Sequence, residues 1–307
     1  MRPFRRTGRL GWLGALLLGI GVSAAAHAQS VLTYHGSSDR SGNFAVPALT
    51  WDRARNIRLD PSFHPLISGH LYAQPLYWRP PGSSSGQLFV ATEDNNVYAI
   101  DAGSGHEIWV RSLGRPVPLS TLDCGNIDPL GITGTPVIDQ ATQAIYVAAM
   151  VGEAAGPHHR VFALSLKDGS PLPGWSVDVA EALAARGQRF NARDQNQRGA
   201  LAILDGHVYV PYGGHYGDCG DYHGWVVGIS VQNPRDVVSW STRGRGGGIF
   251  GRDRQRRPLA VRRHRQYDRC LDLERRRGGL SSRPGSSASR PAGRFLRPNR
   301  LAHARFA

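Results

Sequence analysis

Three tryptophans, Trp109, Trp175 and Trp240, stand 66 and 65 residues apart, and each belongs to the end of a run built to one design. Ahead of the first, Gln87-Leu88-Phe89-Val90-Ala91-Thr92 alternates, breaks at Glu93-Asp94-Asn95-Asn96, and resumes as Val97-Tyr98-Ala99-Ile100. It then turns at Asp101-Ala102-Gly103-Ser104-Gly105 before His106-Glu107-Ile108-Trp109-Val110. Alternation with hairpin-sized gaps predicts three successive antiparallel strands. The order returns with strands predicted at 143–149, at 160–164 and from Trp175, and again at 207–212, 224–229 and 237–240. A further strand precedes each set, at 71–77, 131–138 and 198–204. Four antiparallel strands at a fixed period are the arithmetic of a propeller blade, and helical repeats would need a 3.6-residue period that is missing here. The expected fold is all-β: an incomplete β-propeller of about three four-stranded blades over 70–242, led in by 29–69. A ring takes about four to eight blades, so three predict an open arc with exposed edges.

The residues from Ala99 to Trp109 resemble the tryptophan-docking signature of pyrroloquinoline-quinone (PQQ) type β-propellers, with an Ala, an Asp, a Gly and a Trp at fixed spacing. Gly105 can take a positive φ in the turn, and the indole can pack between neighbouring blades. The resemblance assigns Ala99, Asp101, Gly105, Trp109, Trp175 and Trp240 to blade docking; the second copy keeps Ala163 and Asp168-Gly169 as well, and the third mainly its tryptophan. Tyr72-Ala73-Gln74-Pro75-Leu76-Tyr77, Gly131-Ile132-Thr133-Gly134-Thr135-Pro136 and Tyr222-His223-Gly224-Trp225-Val226 are similar to a group of secreted bacterial PQQ-like propellers, and the likeness covers 31–242. PQQ-dependent alcohol and sugar dehydrogenases share the repeat. They also use a vicinal cysteine pair beneath the cofactor and a Glu, Asn and Asp set around calcium. This sequence has no adjacent cysteines, and no such calcium set can be placed in it. Fold does not carry function. The expected role is therefore a ligand- or protein-binding scaffold of the cell envelope, with a PQQ-dependent oxidoreductase fragment as the alternative. The scaffold needs no cofactor; the alternative would take PQQ with Ca2+. Expected partners are an envelope protein, a glycan or a small molecule, bound by a monomer. No phosphate-binding glycine loop, serine nucleophile elbow or zinc-protease helix is present.

The innermost strand of a blade lines the axial channel, which makes Gln74, Thr133, Asn196, Gln197 and Arg198 the candidate ligand-binding residues. Their simpler role is to satisfy backbone groups where inner strands crowd. Arg198 stands apart, because a channel-facing guanidinium can hold a carboxylate or quinone oxygen. His215, Asp218, Cys219, Asp221 and His223 form the densest group of metal-type side chains, but a loop pinned by Cys219 explains them equally well, and no metal is assigned. His158-His159 is expected in a solvated hairpin.

Arg2, Arg5, Arg6 and Arg9 precede an apolar run at 10–22, and Ala26-His27-Ala28 offers small residues to a signal peptidase. Residues 1–28 are expected to be a secretory signal cut after Ala28, giving a periplasmic or secreted protein. The run falls short of the roughly 20 residues of a spanning helix, so no membrane anchor is expected. Of three cysteines, Cys270 lies in the tail, leaving Cys124 and Cys219 either as free thiols or, in an oxidising compartment, as a disulfide across 95 positions. The formal charge of +14 is uneven: 243–307 holds 19 of the 37 basic residues against 4 acids, a net of +15, which leaves −1 for 1–242. That tail reads as a disordered basic appendage or as translation in the wrong frame. Back-translated with GC-rich codons and read one base later, 253–277 can give G-S-D-G-R-S-L-Y-V-A-T-G-N-T-T-G-A-S-T-W-S-E-G, a propeller strand and turn. A frameshift near Ile249 is therefore expected, and no specific nucleic-acid partner.

Overall fold

The computed structural model describes residues 29–46 and 48–249. The leader with its cut after Ala28, Cys270 and the sequence assigned to a shifted frame lie outside the described residues.

Three antiparallel sheets follow one another along the chain, each with its strands in sequence order. The first holds β1 (Leu76–Trp78), β2 (Gln87–Ala91), β3 (Asn96–Asp101) and β4 (Glu107–Ser112). The second holds β5 (Val137–Asp139), β6 (Ala144–Glu153), β7 (Gly156–Ser165) and β8 (Val177–Asp178). In the third, β9 (Gln195–Asn196) pairs with one end of β11 (His207–Gly214), which also joins β10 (Ala202–Leu204) to β12 (Trp225–Ser230) and β13 (Val237–Ser241). Two short helices interrupt this order, α1 (Trp51–Arg55) in the lead-in and α2 (Val179–Ala184) after β8. The architecture is that of an incomplete β-propeller. Among the described residues no helix is long and apolar enough to cross a membrane.

Strand β6 shows why the sheets stack. Its side chains alternate, Ile145, Val147 and Ala149 entering one core with Phe89, Ala99 and Trp109 of the first sheet. Tyr146 and Ala148 enter another core with Val208, Val210 and Tyr212 of the third. A strand buried on both faces reads as a continuous apolar run, as 144–151 does.

Four of the docking residues, Ala99, Asp101, Gly105 and Trp109, belong to the first sheet and its β3–β4 turn, and Trp109 reaches the second sheet. Ala99 is fully buried opposite Trp109, whose Nε1–H donates to the carbonyl of Leu166 at 3.2 Å. Gly169, at φ +67°, lies so close beneath the indole that a Cβ there would come within 2.6 Å of the ring. Arg111 Nε–H adds a bond to the Gly169 carbonyl at 2.9 Å. Asp101 closes its own turn, accepting from the Ser85 hydroxyl and from the N–H groups of Gly103 and Ser104, while Gly105 takes φ +76°. These bonds, led by the one from Ser85, hold the Asp101 carboxyl down to about 2. Trp175 packs edge-on to Tyr146 at 5.2 Å, and Trp240 lies opposite Val226, partly buried.

The structure corrects the extent of several strands. The innermost strands, expected at 71–77, 131–138 and 198–204, shrink to three residues each. Their remaining backbone bonds outside the blade's own ladder: Gln74 N–H donates to Thr135 Oγ1 at 3.0 Å, and Leu201 N–H to the Thr135 carbonyl at 2.9 Å. Trp175 precedes its closing strand rather than opening it, because β8 is cut short where Asp178 caps α2. His158 and His159 belong to β7, and solvation fails for the second: His158, partly exposed, meets Asp178 through Nδ1 at 2.6 Å, whereas His159 is 1% exposed.

Candidate functional site

The lead-in reaches β1, β5 and the segment just before β10. Val31 and Tyr77 exchange two backbone bonds at 2.7 and 3.0 Å, the Leu32 carbonyl accepts from Ile138 N–H at 2.8 Å, and the Arg40 guanidinium donates to the Ala200 carbonyl at 3.2 Å. Gln74 serves this segment, its Oε1 accepting from His35 N–H at 3.1 Å.

Thr133 leads to a residue that the sequence pattern hides. Its hydroxyl donates to Glu93 Oε1 at 2.7 Å, and Gly131 N–H donates to Oε2 at 2.6 Å. Glu93 is fully buried, and burial pushes its carboxyl up, against the pull of both hydrogen bonds and the positive fields of Arg198 and His70. In the sequence it stands inside a Glu-Asp-Asn-Asn break, a composition that ordinarily marks a solvated turn. The two glycines of Gly131-Ile132-Thr133-Gly134 are the one local signal of crowding. A Cβ on Gly131 would fall 2.2 Å from the Glu93 carbonyl, and one on Gly134 would fall 2.2 Å from Gln197 Oε1. Gln197 is turned inward, its Nε2 donating to the Gly199 carbonyl at 2.5 Å. Asn196 is buried in β9 opposite Gly213.

Arg198 differs from these four. It is exposed and lines an open cavity of about 700 Å³ shared with His215, Tyr216, Asp218 and Tyr222. Among the described residues no hydrogen bond or ion pair fixes its guanidinium, whose positive field reaches the Glu93 carboxyl. The structure thus links Thr133 and Arg198 through Glu93, while Gln74, Asn196 and Gln197 serve the packing of backbone and lead-in.

One wall of the cavity is the loop between β11 and β12, which is tied at many points. Cys124 and Cys219 form a disulfide with Cα atoms 6.0 Å apart, joining this loop to the one between β4 and β5. His215 Nε2 bonds the Arg193 carbonyl at 3.0 Å, and the Tyr222 hydroxyl donates to Asp218 at 2.5 Å. Arg245 donates to the carbonyls of Asp218 and Gly220, both at 2.7 Å. The five metal-type residues are thus held in other ways: Cys219 is oxidised, His223 Nδ1 bonds the Thr242 carbonyl, and His223 Nε2 lies 3.7 Å from the exposed Asp221 carboxylate. Among the described residues no three His, Cys, Asp or Glu side chains are grouped to hold a metal ion.

His159, behind this loop, is a buried base. Burial lowers it to about 4, although its Nε2 faces the Gln195 carbonyl at 2.9 Å. Its ring stands edge-on to Tyr212 and Phe190 at 5.1 and 5.8 Å.

No family model matches the chain, and no curated protein does. Among solved structures it is similar to a quinohemoprotein alcohol dehydrogenase from Pseudomonas putida HK5, at 18% identity and TM-score 0.49. It is also similar to a europium-containing methanol dehydrogenase, at 15% identity and TM-score 0.48, and to BamB from Moraxella catarrhalis, at 15% identity and TM-score 0.28. These cover 70%, 70% and 56% of this chain, which in turn spans 27%, 32% and 53% of theirs. Likeness at this level carries no argument about activity.

Proposed function

We propose that the chain is an exported PQQ-like propeller that acts as a binding scaffold in the cell envelope, taking its ligand at the cavity beside Arg198. One observation carries this: amid side chains committed to holding loops and strands, Arg198 presents to a cavity an exposed guanidinium that no hydrogen bond or ion pair fixes among the described residues. Such a group suits a carboxylate, which it can grip with two parallel N–H donors. Support for export comes from the leader-like residues 1–28 and from a disulfide suited to an oxidising compartment. A protein, a glycan or a small molecule could bring the anion, and the scaffold acts as a monomer. The residues after Ile249 are proposed to be out-of-frame translation, so that the arginines of the tail serve no nucleic acid.

A calcium-held quinone does not fit the donors at hand. Calcium needs several oxygen ligands converging on one point, and among the described residues no three His, Cys, Asp or Glu side chains are grouped to hold a metal ion.

The test has two arms. In thermal-shift measurements with a panel of small carboxylates, at least one ligand is expected to raise the Tm of the native chain and not that of Arg198→Gln. Reconstitution with PQQ and calcium is expected to give neither quinone absorbance nor dye reduction; turnover would move the reading to a quinoprotein dehydrogenase. Resequencing the coding DNA across codons 240–278 decides the tail, since a one-base correction should restore a blade.

A further inference from the structure

The cavity holds a second feature that the binding reading does not use. Tyr216 is 67% exposed, yet it sits on the loop tied down by the disulfide, His215, Tyr222 and Arg245. An aromatic ring held out on a fixed backbone offers a flat apolar face at little further entropic cost. The rest of the lining is polar or bare: one guanidinium, one imidazole, one carboxylate, a second tyrosine, and glycines that leave backbone groups open to approach. Among the described residues no aliphatic side chain lines it. Sites for flat hydrophobic ligands are walled mostly by apolar groups. This one instead pairs one exposed aromatic platform with many hydrogen-bonding groups and a guanidinium. That combination matches a pyranose ring, which has an apolar C–H face, hydroxyls around its edge and, in a uronic acid, a carboxylate.

Resting on the binding reading above, we propose that the cavity takes a uronate-bearing saccharide, its carboxylate on Arg198 and its ring face on Tyr216. The open trough accepts the end of a longer chain as readily as a free oligosaccharide. Asp218, exposed and tied to Tyr222, offers a fixed polar edge to the hydroxyls, while His215, 3% exposed and bonded to the Arg193 carbonyl, holds the loop.

The experiment is calorimetric titration of the full exported chain with a galacturonate oligosaccharide, a neutral glucose oligosaccharide of equal length, and citrate. The expected order is galacturonate tightest, with both Arg198→Gln and Tyr216→Ala losing at least about tenfold. Removing the charge should also weaken the salt dependence, which Tyr216→Ala should leave intact. Both residues are exposed, and far-ultraviolet circular dichroism of each variant checks its fold. If citrate binds as tightly as galacturonate and Tyr216→Ala changes nothing, the saccharide proposal falls while the carboxylate-binding scaffold stands. If no anion binds, both fall. If the neutral oligosaccharide binds equally well and Arg198→Gln is silent, the uronate assignment is overturned.

Discussion

The seam between the first and second sheets and the seam between the second and third do the same job with different chemistry. At the first, one indole lies on a glycine turn and donates its N–H to Leu166. At the second, rings meet edge-on: Phe190 touches Tyr212, Trp225 and His159 at 5.1, 5.8 and 5.8 Å. Trp175 shares this second core, where Tyr146 meets it edge-on. The first seam depends on the signature itself, the indole of Trp109 on the turn at Gly169. The second depends on Phe190, which lies between α2 and β9 and belongs to no repeat. Neighbouring blades can thus dock through a signature or through a cluster particular to one interface.

The comparison is broken most directly by removing each anchor. Trp109→Ala and Phe190→Ala should each cost about 3–5 kcal/mol by urea unfolding, since both are buried aromatic rings. A Phe190→Ala variant of native stability would show that the second seam is held elsewhere. The disulfide comes next, because it bridges the loops flanking both seams. Cys124→Ser with Cys219→Ser should lower stability by about 2–4 kcal/mol, read in the same unfolding experiment.

Acidity separates the seams by sign. In the unfolded chain His159 takes up a proton near 6.5, but the folded chain refuses it until about 4. Stability from this group is full above 6.5 and falls as pH drops toward 4, by at most about 3 kcal/mol. His215 adds to the lowering at His159, and Asp178 opposes it. Glu93, at the first seam, runs the other way: its raised carboxyl binds a proton more tightly when folded, so its contribution declines as pH rises through its folded value. Unfolding curves across pH should flatten on the acid side in His159→Gln, and the opposing slope should vanish in Glu93→Gln. The smallest effect belongs to Asp101→Ala, which opens one turn of the first seam and should cost about 1 kcal/mol.

The repeat was legible because apolar alternation and turn residues recur at a near-constant period, and the three sheets fall on it. Strand ends near the axis were not, since the bonds that shorten them run to other blades. Among the site residues, Arg198 could be singled out from its position beside an inner strand. Glu93 could not, because a carboxylate between two strands looks the same whether it meets water or a buried threonine. His159 misled for a related reason: in a hairpin as long as β6 and β7, adjacent histidines face opposite sides, and only the neighbouring sheet decides which is covered.

The lead-in has a consequence for how the molecule comes together. Its bond from Arg40 to Ala200 joins residues 160 positions apart, while Val31 meets Tyr77 and Leu32 meets Ile138 much earlier in the chain. Contacts of such separation close late, after the loop entropy of everything between them has been met. The lead-in is thus fastened in steps, sheet by sheet, and its final fastening at Arg40 waits on the third sheet.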